Sequence, residues 1–230
     1  MRSSLLPEVK AVVDGVEGWL SDREAAFLFD TAQACTGQNG VVVEIGSFKG
    51  KSTVAIGLGL RNANPRIYAI DPHISDLEHH GQGSSLTVFQ RNIARAGLAD
   101  IVTPIVTKSQ DVGCWFHPIE FLWIDGDHSY QGAWADFVKY SPHVIEGGII
   151  AFHDATQDEV PRVVVRAFGQ RGYVGIRVVD SIAYAQKVTG GRKSWRDLGF
   201  LRLIAWYSVL RRLRVFKPMK EPIKRTIARI

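Results

Sequence analysis

Four short stretches carry the side chains that could do chemistry: Glu44-Ile45-Gly46-Ser47, Asp71-Pro72-His73, Asp125-Gly126-Asp127-His128 and His153-Asp154. Carboxylates and imidazoles of this kind can move protons, accept hydrogen bonds from ribose hydroxyls, or hold a cation. Each stretch ends an apolar, β-branched run: Val41–Ile45, 66–71, 121–125 and 149–152. Such runs read as strands buried on both faces. Asp and Gly are also ordinary turn residues. Four polar clusters at one strand edge argue for a functional edge rather than four unrelated turns.

The elements that must position these groups follow from the pattern. A fifth strand is expected at 101–107, weakened by Pro104 at its centre. Helix-like segments lie between the runs, at 51–61, 86–96, 131–140 and 160–170. Alternation of this sort predicts an α/β fold, a Rossmann-like three-layer sandwich around a mostly parallel sheet. Two more strand candidates, 174–179 and 182–187, are separated only by Asp180-Ser181. They predict a hairpin that adds an antiparallel edge strand. The chain divides on this reading into an N-terminal helical cap (1–39), a core (40–191) and a C-terminal extension (192–230).

At the first strand end, Gly46-Ser47-Phe48-Lys49-Gly50 leads into a helix. Glycines let a backbone pass close to a ligand, and a helix N-terminus offers free N–H groups. The turn lacks the third glycine of GxGxxG, and Gly46 lies four rather than five positions before Gly50, so it is not a P-loop. Asp71 stands about 20 residues beyond the turn, where an acid can bind ribose. An adenosine cofactor fits, with NAD and S-adenosylmethionine both open at this point.

The segments EIGSFKGKST, IDPH, KSQDV, FLWIDGDHSYQGAWADF, EGGIIAFHD and VPRVV, in this order, resemble class I S-adenosylmethionine-dependent methyltransferases. Over roughly residues 40–190 the chain is similar to small bacterial enzymes with an IDGDHSY-type segment, and more distantly to metal-dependent sugar and catechol O-methyltransferases. The resemblance implies S-adenosyl-L-methionine as cofactor. Glu44, Gly46, Phe48 and Ser52 would surround its methionine portion, Asp71 its ribose, and Ser109 with Gln110 its adenine, with Asp125 also on the cofactor side. By the same similarity Asp125, His153 and Asp154 are the metal candidates. Oxygen ligands favour Mg²⁺, while a histidine ligand shifts preference toward Mn²⁺. His128, three positions after Asp125, is the first choice of general base, and Asp127 the second. The expected reaction is O-methylation of a small acceptor, a sugar or secondary metabolite. N-methylation, metal-free transfer, and nucleotide or NAD binding without methyl transfer are the alternatives.

Charge is unevenly spread. Residues 192–230 hold 12 of the 28 Lys/Arg and 2 of the 23 Asp/Glu, which leaves the rest of the chain mildly acidic. A basic average therefore does not imply a nucleic-acid partner. With two cysteines and neither a signal-peptide pattern nor a spanning apolar run, a cytoplasmic location is expected. Residues 75–85 read as a polar loop carrying His79 and His80. Residues 198–216 are densely apolar with four arginines. They predict packing on their own domain or a second subunit in a homodimer, contact with an anionic membrane surface, or binding of an acidic acceptor.

Overall fold

The computed structural model describes residues 4–37, 39–60, 65–74 and 85–212. Residues 75–84 of the loop expected at 75–85, with His79 and His80, and the tail beyond Arg212 lie outside the described residues. Among the described residues seven strands form one sheet, in the order β3-β2-β1-β4-β5-β7-β6. The chain divides into two compact units, Met1–Phe121 and Leu122–Ile230, and β4 (Ile119–Ile124) belongs to both.

The first unit holds helices α1 (Pro7–Asp14) and α2 (Asp22–Gln33), then β1 (Val41–Ile45), α3 (Lys51–Gly59), β2 (Ile67–Ile70), α4 (Leu86–Arg95) and β3 (Val102–Ile105). The β1–β2 and β2–β3 pairs are parallel, with Ile45 opposite Ile70 and Ile70 opposite Ile105. Pro104 sits within β3, opposite Ala69. The strand is the outermost of the sheet, so the missing N–H costs no central ladder bond. Helix α2 starts on a capping box, in which Ser21 Oγ accepts from Glu24 N–H and Glu24 Oε2 accepts from Ser21 N–H. Helix α3 is buried from Ser52 to Gly59 and packs against α2. A side chain at Gly59 would stand 2.4 Å from the Phe29 carbonyl oxygen, which explains a glycine in that helix.

The second unit holds α5 (Tyr130–Tyr140), β5 (Val144–Phe152), α6 (Val160–Gly169), β6 (Tyr173–Val179), β7 (Ile182–Lys187) and α7 (Trp195–Arg212). Its core is aromatic: Phe152 packs against Phe137 and Phe168, and Tyr173 closes the cluster. The hairpin forms at Asp180-Ser181, with Val179 opposite Ile182 and Asp180 at φ 50°. Strand β7 is antiparallel to both β5 and β6 and lies one place in from the edge, which β6 occupies. Strand β5 begins five residues before the expected run. Its first half, VIEGG, is disguised by Glu146 and two glycines, and Gln186 Nε2 donates to Gly147 O there.

Asp197 fixes α7. One oxygen accepts from Ser194 N–H and Oγ–H, the other from Ile176 N–H of β6. Burial pushes its carboxyl up, but the hydrogen bonds from Ser194, Ile176 and Gly175 outweigh it and hold the group below its usual value. A depressed folded pKa stabilises above the unfolded value of about 3.9 and stops doing so as pH falls through the folded value. Asp197→Ala is therefore expected to cost about 1–2 kcal/mol at neutral pH, and less in acid. Thermal melts of both proteins across pH read this directly, and a constant difference down to strongly acidic pH would contradict it.

Candidate active site

In the first unit the chain leaves β1 through a strained turn. Gly46 has φ 89°, Phe48 φ 44° and Gly50 φ 91°. The two glycines adopt this region freely, whereas Phe48 must be held there. Its N–H donates to Asp71 Oδ2 at 2.8 Å, and His73 N–H donates to Asp71 Oδ1 at 2.6 Å. Asp71 thus ties the glycine turn to the end of β2. Glu44 is fully buried, and its two oxygens accept from the hydroxyls of Ser52 and Thr53, which pins the first turn of α3 to β1. No side chain caps the α3 N-terminus.

The cradle suits an adenosylated amino acid. A left-handed glycine turn runs into helix N–H groups that no side chain of the N-cap position caps, and among the described residues the buried Ser47 Oγ has no hydrogen-bond partner. Ser109 and Gln110 follow β3 in a short 3₁₀ turn, the first buried and the second exposed.

Two neighbours of the cradle were given no role by the sequence reading, which named His73 only within its stretch and did not name Trp19. His73 is buried, its Nδ1 lies 2.9 Å from Ser85 Oγ, and its Nε2 has no hydrogen-bond partner among the described residues. Burial lowers its pKa, with Asp71 opposing, so the neutral ring is favoured. Trp19, from the segment between α1 and α2, stacks on Phe48 with centroids 5.5 Å apart, and Glu17 pairs with Lys49 at 2.7 Å. The N-terminal segment therefore returns to the glycine turn. An exposed tryptophan followed by a capping box was the only signal available in sequence.

In the second unit, β4 and β5 end side by side, since His153 N–H donates to Ile124 O. Asp125, His128 and Asp154 each present a ligand atom, and all three atoms lie within 4.8 Å of one another. His128 Nε2 is 3.5 Å from Asp154 Oδ2 and 3.8 Å from Asp125 Oδ1, while its Nδ1 faces Asp158 Oδ2 at 3.5 Å. Asp154 sits at φ 49°, a strained conformation that turns it off the end of β5.

The polar contact with Asp125 raises the His128 pKa above the usual imidazole value; burial opposes it, and the charges of Asp154, Asp125 and Asp158 reinforce it. Three acids around one imidazole demand positive charge, and either a proton or a cation supplies it. Two carboxylates and an imidazole are a suitable donor set for a divalent ion.

The remaining candidates take other positions. His153 Nδ1 is 3.0 Å from Asp125 Oδ1 and 3.5 Å from Asp154 Oδ2, and its ring lies against Trp123. Its Nδ1 stands at least as close to both carboxylates as His128 Nε2 does, so it converges on the same two acids, and its bond to Asp125 also suits it to orienting that acid. Asp127 is exposed, and its carboxylate accepts from Ser129 N–H and Oγ–H at the start of α5. Gly132 makes room for it, because a side chain there would meet the Asp127 carboxylate at 2.3 Å.

Residues 43–155 match the family described as a methyltransferase domain. Among solved structures, the chain is similar to the O-methyltransferase NovP, with 18% identity over 73% of this chain and 81% of that one and a TM-score of 0.60. It is similar to the O-methyltransferase from Bacillus cereus in complex with SAH, at 20% identity over 78% and 89% with a TM-score of 0.56. A SAM-dependent O-methyltransferase from Thermotoga maritima aligns at 13% identity over 80% and 72%, with a TM-score of 0.59. These likenesses establish the shared fold. Residues 43–155 thus match the methyltransferase-domain family, on the fold that these solved methyltransferases share.

Proposed function

We propose that the enzyme moves the sulfonium methyl of S-adenosylmethionine to a hydroxyl oxygen of a small acceptor, a sugar or secondary metabolite, and that a divalent cation assists. The observation that carries this reading is the convergence of Asp125, His128 and Asp154 on one point. The resemblance of the named solved structures to this chain, all O-methyltransferases, supports the choice of oxygen.

The turn at Gly46–Gly50 and Asp71 hold the methyl donor. The acceptor oxygen attacks the methyl carbon, the carbon–sulfur bond breaks, and its electron pair goes to sulfur, leaving S-adenosylhomocysteine. The hydroxyl proton must leave, and His128 Nε2 takes it. Sulfonium is a good leaving group, so alignment and deprotonation are what the protein has to supply. Asp125 and Asp154 would hold the cation, which when bound polarises the acceptor hydroxyl as a Lewis acid. His153 orients Asp125 through Nδ1.

A second reading makes His128 a third ligand and shifts the preference from Mg²⁺ to Mn²⁺. The mutual approach of all three ligand atoms favours it as well. His128→Ala separates the two: residual activity stays metal-dependent if His128 is the base, and becomes indifferent to metal if it is a ligand.

The acceptor class is tested by a methyl-transfer screen over sugars, glycosides, phenols and amines with labelled S-adenosylmethionine. Turnover confined to amines would overturn the oxygen assignment. For the cofactor side, Asp71→Ala is expected to weaken S-adenosylhomocysteine binding by about 1–3 kcal/mol, because it removes both a ribose acceptor and the tether of Phe48. Isothermal titration checks this, and an unchanged dissociation constant in folded protein would remove Asp71 from the cofactor site.

A further inference from the structure

We infer that the outer face of α7 docks the enzyme on an anionic lipid bilayer. The helix packs on α6 and β6 through Leu201 and Ile204, with Asp197 buried as its cap. At 100° per residue these three positions fall on one side. Trp195, Leu198, Arg202, Trp206 and Val209 fall on the other, within an arc of roughly 80°. All five are exposed, Trp195 by 78% and Trp206 by 62%. A solvent-facing stripe would ordinarily be polar, and this one is four-fifths apolar with two tryptophans.

The charge around the stripe selects the occupant. Arg196, Arg202, Arg211 and Arg212 lie on α7, and the sequence after Arg212 adds six Lys/Arg against one acid, Glu221. The other acid of residues 192–230, Asp197, is turned inward. The exposed charges of the described helix, Arg196 and Arg202, are thus basic, and the sequence beyond it is basic as well. Tryptophan and arginine together match the bilayer interface, where the indole sits at the headgroup level and the cation pairs with lipid phosphate. Nucleic acid would use the cations but leave the apolar stripe in water. A second copy would have to bury Arg202, which stands within the stripe, with no acidic residue on the stripe to pair with it. Among the described residues no helix is long and apolar enough to cross a membrane, so α7 would lie on the surface.

The test is co-sedimentation of the full chain with phosphatidylcholine vesicles, with and without about a third phosphatidylglycerol. The chain should bind the anionic vesicles, ignore the neutral ones, and release partly in high salt. Trp195→Ser with Trp206→Ser, and separately Arg202→Glu, should each weaken binding roughly tenfold or more. Both should leave thermal stability and S-adenosylhomocysteine affinity unchanged, since these side chains are exposed and lie in neither cradle nor acid cluster.

Absence of binding by the unmutated chain overturns the inference. So does binding that the helix variants leave intact, which would assign it to the basic sequence alone. Self-association that the tryptophan variants abolish, or tRNA binding that Arg202→Glu abolishes, without vesicle binding, would give the face to a second copy or to nucleic acid instead.

Discussion

His128→Ala is expected to lower kcat by roughly 10²–10⁴-fold while leaving the S-adenosylhomocysteine dissociation constant nearly unchanged. The imidazole stands among Asp125, Asp154 and Asp158, where it can take a proton and where its cationic form is stabilised afterwards. The cofactor cradle is built from other residues, so binding and chemistry should separate. His128→Gln keeps hydrogen bonding but cannot accept the proton as an imidazole does, and it should be nearly as slow. Single-turnover methyl transfer with saturating cofactor measures both. An enzyme with unaltered kcat after either substitution would strip His128 of its role.

Asp154→Ala is expected to cost several kcal/mol of transition-state stabilisation, on the order of 10³ in rate, and to abolish any response to added metal. The carboxylate faces His128 and His153 at 3.5 Å, and Gln157 Nε2 donates to its other oxygen. Its removal leaves one acid, Asp125, to hold a cation. Asp154 is also held at a positive φ, so alanine there carries strain without the polar contacts that offset it. A thermal melt therefore accompanies the kinetics. Asp154→Asn, which keeps those contacts, should keep the fold and still lose the metal response. Retained metal stimulation in folded Asp154→Asn would contradict the assignment.

The sheet was legible because its strands are continuous apolar runs that end abruptly in polar residues. Val41–Ile45 is the clearest case, and the structure reproduces it at both ends. The first half of β5 was hidden because Glu146 and its two following glycines look like a loop. There the strand is half-solvated, and Gln186 and Thr189 hold it with side-chain bonds. At the acid cluster the sequence identified the participants but not their arrangement. His128 and His153 are equally plausible in a string of letters. The ends of β4 and β5 bring both to the two acids, His153 Nδ1 at 3.0 and 3.5 Å and His128 Nε2 at 3.8 and 3.5 Å from Asp125 and Asp154. The local bonding of Asp127 was not legible either: its carboxylate accepts from Ser129 at the helix start. Trp19 was out of reach for a different reason. It meets Phe48 only through tertiary folding, and no periodicity reports a contact between residues so far apart in sequence.

The most direct test of metal-assisted O-methylation is transfer of labelled methyl from S-adenosylmethionine to a hydroxyl acceptor by chelator-stripped protein. The account predicts that stripping abolishes nearly all turnover and that Mg²⁺ or Mn²⁺ restores it, with S-adenosylhomocysteine binding intact throughout. Full turnover by the stripped enzyme in excess EDTA would contradict it and leave Asp125, His128 and Asp154 as a metal-free acid–base cluster.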